Sequence, residues 1–109
     1  MTVTDLNALS DELLAQAHEQ ASGRASTTVR GHADRLRETV IALTAGQELS
    51  DHESPGEATI QVLRGQVRIT VPDGSSDLAL SAGQRADIPG VRHGLTADTD
   101  AVVLLTVAL

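Results

Sequence analysis

GQELSDHESPGEATIQVLRGQV, residues 46–67, holds a histidine, a Pro-Gly turn, an alternating apolar run and a closing glycine. Ala58, Ile60 and Val62 alternate with polar neighbours, which is the period of a half-buried strand whose apolar face turns inward. Read as a regular strand, this run sends Glu57 outward. A bulge at Pro55-Gly56 shifts the parity by one residue and turns Glu57 inward instead. On either side of His52, Asp51 and Glu53 point away from it in a regular strand, and with Glu48 they read as surface charge. The spacing of these residues resembles that of a stretch wrapped around a metal ion.

Outward from this stretch the chain changes period once, near residue 23. Before it, Leu6, Leu9, Leu13 and Ala17 recur at three and four residues and form the stripe of an amphipathic helix, with Thr4 or Ser10 as its cap and Gly23 to end it. After it the period is two: Leu36, Val40 and Ala42, then Ile60 and Val62, then Val67, Ile69 and Val71. Turn signals at Ala45-Gly46, Pro55-Gly56, Arg64-Gly65, Pro72-Asp73-Gly74 and Pro89-Gly90 separate short strands. No helical crossovers lie between them, so the strands are expected to be antiparallel. The run AVVLLTVAL, 101–109, is apolar on both faces and reads as a central or covered strand. The expectation is one all-β domain, a barrel over 24–109 led by a helix within 1–23.

Composition narrows the function. The 109 residues include no Phe, Tyr, Trp or Cys, so the core is aliphatic, stacking on bases or in aromatic cages is excluded, and so are disulfides and thiol chemistry. The net charge is −7 and every basic residue is Arg, which argues against nucleic acid or anionic lipid as a partner. Met1–Leu14 lacks the basic and apolar regions of a signal peptide, and 101–109 is far short of the roughly 20 residues of a membrane helix. These features lead us to expect a cytoplasmic protein. There is no nucleophile elbow, phosphate loop or paired carboxylate on a common face.

The opening stretch resembles the first motif of the cupin superfamily: Gly, five residues, His-x-His, Glu three or four residues later, six residues, Gly. Gly46, His52 and Gly65 match it. The second motif, Gly, five residues, Pro-x-Gly, two residues, His, three residues, Asn, resembles GQRADIPGVRHGLTA, where Gly83, Pro89 and His93 match. Residues 66–82, 17 residues, separate the motifs, an interval suited to a compact cupin. The resemblance implies an antiparallel jelly roll.

The departures bear on function. Ser54 stands where the family has its second histidine, Ala58 where it has glutamate, Ala97 where it has asparagine, and Pro89-Gly90 is one residue shorter than Pro-x-Gly. The resemblance implies a metal held by three histidines and a glutamate, of which His52 and His93 remain, with Glu57 as the neighbouring alternative donor. Two imidazoles hold Zn, Ni, Mn or Fe weakly, with selectivity following intrinsic affinity. Three functions are therefore carried forward. The first is a non-catalytic or regulatory module that takes a small organic ligand at a cavity mouth bearing His52, Ser54, Arg92 and His93. The second is a metal-dependent dioxygenase or isomerase using His52 and His93, and the third a structural homodimer without ligand. The missing donors favour the first and third. His18 and His32 read as exposed, and Arg35, Arg37, Arg64, Arg68, Arg85 and Arg92 as balancing acidic neighbours, with Arg92, next to His93, also placed to reach an anionic ligand at the mouth. The apolar strand 101–109 and the helix stripe together suggest more apolar surface than one barrel covers, hence a homodimer.

Overall fold

The computed structural model describes residues 1–31, 33–53, 56–72, 77–88 and 90–109, without the side chains of Asp51 and His52. Its one helix among these, α1, runs over Leu6–Glu19. Nine strands follow: β1 (Arg24–Arg30), β2 (Leu36–Leu43), β3 (Glu48–His52), β4 (Glu57–Arg64), β5 (Gln66–Thr70), β6 (Leu78–Ser81), β7 (Arg85–Asp87), β8 (His93–Ala97) and β9 (Ala101–Ala108). They form two antiparallel sheets, a five-stranded one in the order β1-β2-β9-β4-β7 and a four-stranded one in the order β3-β8-β5-β6. The fold is an all-β jelly roll with a leading helix. The apolar alternation extends to strands the sequence list omits, β1 among them, and Val71 lies just beyond β5.

The helix starts elsewhere than the sequence suggests. Asp5 is the N-cap, its carboxylate accepting from the Ala8 amide at 3.0 Å, and neither Thr4 nor Ser10 has that place. Ser10 is inside the helix, fully buried, and donates its hydroxyl back to the Leu6 carbonyl at 2.6 Å, so its polarity is satisfied locally. At the other end Gln20 is the C-cap, and Gly23, with φ +66°, redirects the chain into β1.

Two apolar layers result. Between the sheets, Leu43, Ile60, Val62 and Val103 face Val67, Ile69, Leu80 and Leu95, all buried. Outside the large sheet, Leu13 and Ala17 of α1 pack on Val40, Ala42, Val102 and Leu104, with Leu6 and Leu9 partly buried beside them. β9 is apolar on both faces because it is covered on both: Ala101 and Val103 face the opposite sheet, Val102 and Leu104 face the helix. The two apolar surfaces that suggested a partner chain thus cover one another. Each fully buried leucine in this layer contributes about 2 kcal/mol relative to exposure.

Polar contacts pin the helix at both ends. Arg64 of β4 donates to Asn7 Oδ1 at 3.1 Å and approaches Asp11 at 3.6 Å. His18 is indeed exposed, and its Nε2 lies 2.7 Å from Asp100 Oδ2 in the bend between β8 and β9. Asp100 Oδ1 accepts from the Ala45 amide at 2.9 Å. That amide, followed by His18, holds the Asp100 carboxyl below its ordinary value of 3.8. A depressed carboxyl adds stability that is present above the unfolded value and lost as pH falls through the folded one. Asp100→Asn is therefore expected to be less stable than wild type by under about 1 kcal/mol at pH 6, since the pair is partly exposed. Urea midpoints should show that gap closing as the pH falls below the ordinary carboxyl value and through the depressed one. No helix among the described residues is long and apolar enough to cross a membrane.

Candidate functional site

The two motif histidines meet across one ladder. β3 and β8 are antiparallel neighbours in which Leu49 pairs with Leu95 and His52 pairs with His93. Three residues on β3 span two on β8, so β3 carries a bulge between Leu49 and His52. Without that extra residue, Asp51 rather than His52 would stand opposite His93. The bulge lies within β3; the Pro55 part of the expected Pro55-Gly56 bulge lies outside the described residues. So do Ser54 and His32, and the side chain of His52.

His93 opens β8 and is 4% exposed. Its Nδ1 is 2.9 Å from the Val91 carbonyl oxygen. A carbonyl only accepts, so Nδ1 carries the hydrogen, and in the neutral ring Nε2 is the nitrogen with the lone pair. Around the imidazole the walls are aliphatic, from Ile41, Ile60 and Leu105 of the large sheet, Leu49 and Ile69 of the small one, and Ile88. The cavity they enclose holds about 30 Å³, room for a water molecule or two.

Of the other candidates, Glu57 and Arg92 are not among the residues that line the cavity around His93. Ala58 is buried and Glu57 exposed, as expected of a β4 without a parity shift, so Glu57 stands on the face of the sheet away from the cavity. It lines a separate open groove with Thr59, Asp87 and Thr106. Arg92 is exposed in the segment leading into β8. Among the described residues no group of three His, Cys, Asp or Glu is close enough to hold a metal ion. The chemistry of the donor set agrees: Ala58, at the family's glutamate position, offers nothing to an ion, so the described residues do not fit the family's metal.

No family model matches the chain, and no curated protein matches it. Solved structures do. A Thermus thermophilus protein superposes with a TM-score of 0.75 at 25% identity, covering 99% of this chain and 98% of that one. An RmlC-like cupin from Desulfovibrio desulfuricans is 30% identical, with a TM-score of 0.67, over 78% of this chain and 81% of its own. The chain belongs to the cupin superfamily. Within this cupin superposition a DMSP lyase from Ruegeria pomeroyi also aligns, with a TM-score of 0.67 at 20% identity over 79% of this chain and 47% of that one. At that identity it speaks for the fold alone.

Two features of this cupin's site escape a reading of the sequence. The bulge in β3 depends on hydrogen-bond register with β8, and no residue type in ELSDH announces it. The aliphatic walls come from both sheets, and the local alternation at Ile41 and Leu49 says only that each has an inner face.

Proposed function

We propose that this cupin is a non-catalytic small-molecule-binding or regulatory module with a degenerate metal site. His93 carries that reading. It is the one buried ionisable side chain among the described residues, set into otherwise apolar walls. Such a pocket orients a small ligand through one polar contact and excludes water from the rest. With a cavity near 30 Å³, the ligand seats across the mouth and inserts no more than a methyl-sized group. His52, Ser54 and Arg92 are the other mouth residues of this proposal, and any Zn, Ni, Mn or Fe ion there is weakly held. A cytoplasmic setting is supported by the cysteine-free composition.

Chelation tests this reading. EDTA is expected to leave the wild-type melting temperature within about 1 °C, because no tightly bound ion adds free energy to the folded state. His93→Ala is expected to cost about 1–3 kcal/mol, from the lost hydrogen bond to the Val91 carbonyl and the lost packing of a buried ring. A fall with EDTA in wild type that is absent from His52→Ala and His93→Ala overturns the proposal in favour of a metal-dependent cupin enzyme of dioxygenase or isomerase type. The observation on that side is the pairing of His52 with His93.

The homodimer is also a proposal. Its support is the resemblance together with the unpaired edge of β1, because the helix stripe and β9 cover each other. Light scattering at tens of micromolar is expected to give twice the 11.3 kDa chain mass, and a monomer mass removes the idea. A ligand-free structural dimer is the reading left if the chain pairs and nothing enters the pocket.

A further inference from the structure

β1 and β3 are outer strands of their sheets, and a groove of about 320 Å³ runs between them. Its walls are Ser22, Arg24, Ala25 and Ser26 from β1 and the residues just before it, Ile41 from β2 and Leu49 from β3. Register explains the mixture. Arg24 pairs with Leu43 and Ser26 with Ile41, and directly paired residues stand on the same face of a sheet. Leu43 and Ile41 belong to the apolar layer between the sheets, so Arg24 and Ser26 are on the inner face as well. There β2 is apolar and β1 is polar.

Ile41 and Leu49, both partly buried, are also walls of the cavity at His93. They separate that enclosed apolar space from the open groove. A molecule lying in the groove meets aliphatic carbon on its inner side and, toward solvent, hydroxyls and one cation.

Arg24 is the one charged residue that lines the groove. Its Nη1 donates to the Glu48 carbonyl at 3.5 Å, the only hydrogen bond or ion pair that its side chain makes among the described residues. Glu48 precedes inward-facing Leu49 on β3, so alternation turns its carboxylate to the opposite face. The Ser22 hydroxyl accepts from the Arg24 amide at 3.4 Å and keeps its hydrogen to donate. A guanidinium with Nε and Nη2 uncommitted, hydroxyls beside it and aliphatic walls behind are complementary to a carboxylate on a short alkyl chain. We infer that the groove binds such a molecule, its carboxylate on Arg24 between Ser22 and Ser26 and its alkyl chain against Ile41 and Leu49. The site is separate from the His93 pocket and does not depend on it. A strand added at the β1 edge, as in the dimer proposal, extends the sheet in its own plane and leaves this face to the ligand.

The test is an NMR titration at pH 7 that follows the Ile41 and Leu49 methyls, the Ser26 amide and the His93 ring. Hexanoate is expected to shift the methyls and the Ser26 amide together and saturably. Hexanamide keeps the chain without the charge and acetate the charge without the chain, and each is expected to bind about five-fold more weakly or worse. Arg24→Gln is expected to weaken hexanoate about five-fold, whereas Arg30→Gln, which removes the same charge at the other end of β1, changes it less than about two-fold. Ser26→Ile, which fills the groove opposite Ile41 with an apolar side chain suited to a strand, is expected to abolish the response. Equal affinity for hexanoate and hexanamide overturns the inference, as does an Arg24→Gln or Ser26→Ile titration like wild type. Shifts of the methyls and the His93 ring without the Ser26 amide put the molecule in the cavity, which overturns the groove site and supports the pocket reading. No saturable shift of the methyls and the Ser26 amide overturns the groove site too, and the His93 pocket is judged separately at its own ring.

Discussion

Gly65→Ala is expected to destabilise the protein by about 3 kcal/mol. Gly65 sits between β4 and β5 with φ +72°, where an L side chain costs about 1–2 kcal/mol. A Cβ there also lands on the carbonyl oxygen of Asp100 and 2.6 Å from the Thr99 hydroxyl. The first of these is backbone, held in place by the turn into β9, so relief requires the turn to move, at a further cost of about 1–3 kcal/mol. Gly83→Ala is the comparison, because Gly83 has φ +89° but open space around the added methyl. It should lose only the backbone part, about 1–2 kcal/mol. Urea denaturation of both variants checks the difference; equal losses show that the contact with Asp100 does not matter.

Ser54→His with Ala58→Glu is expected to turn a weak ion site into a tight one. By the family spacing, the two substitutions restore the second histidine and the glutamate, and Ala58 is inward-facing on β4. Nickel, zinc or manganese at about 100 times its dissociation constant should then add about 2.7 kcal/mol to the double mutant, a rise of roughly 10 °C in melting temperature for a domain of this size. The parent should not respond. Ser54→His alone, with Glu57 retained, is expected to gain little, because Glu57 stands on the outer face of the sheet. If the single mutant gains as much as the double, Glu57 turns inward when an ion is present. If neither gains, the four positions do not converge, and the short Pro89-Gly90 turn is where the alignment fails.

Much of the fold was legible in local pattern. The glycines that mark the two motifs, Gly46, Gly65 and Gly83, all have positive φ, so the spacing that suggested a cupin is a spacing of turns only glycine makes easily. Ala58, Ile60 and Val62 face inward as their alternation implies, and the parity of Glu57 follows from theirs. Of the site, the sequence named His93 and stated which of the family's donors are missing, since both depend on residue identity alone.

Tertiary structure decided what each surface meets. Leu6, Leu9, Leu13 and Ala17 were readable as an apolar stripe, but a stripe does not say whether a partner chain or the chain's own sheet will cover it; β9 covers it here, because Val102 and Leu104 lie on the sheet's outer face. The bulge that puts His52 opposite His93 likewise depends on hydrogen bonds to β8, 41 positions away in the chain from His52. Asp5 won the helix cap over Thr4 because the first turn packs where the Asp5 carboxylate meets the Ala8 amide. Periodicity is a property of neighbouring residues and determines which side chains share a face; burial and register depend on residues distant in the chain, and only the assembled sheets bring those together.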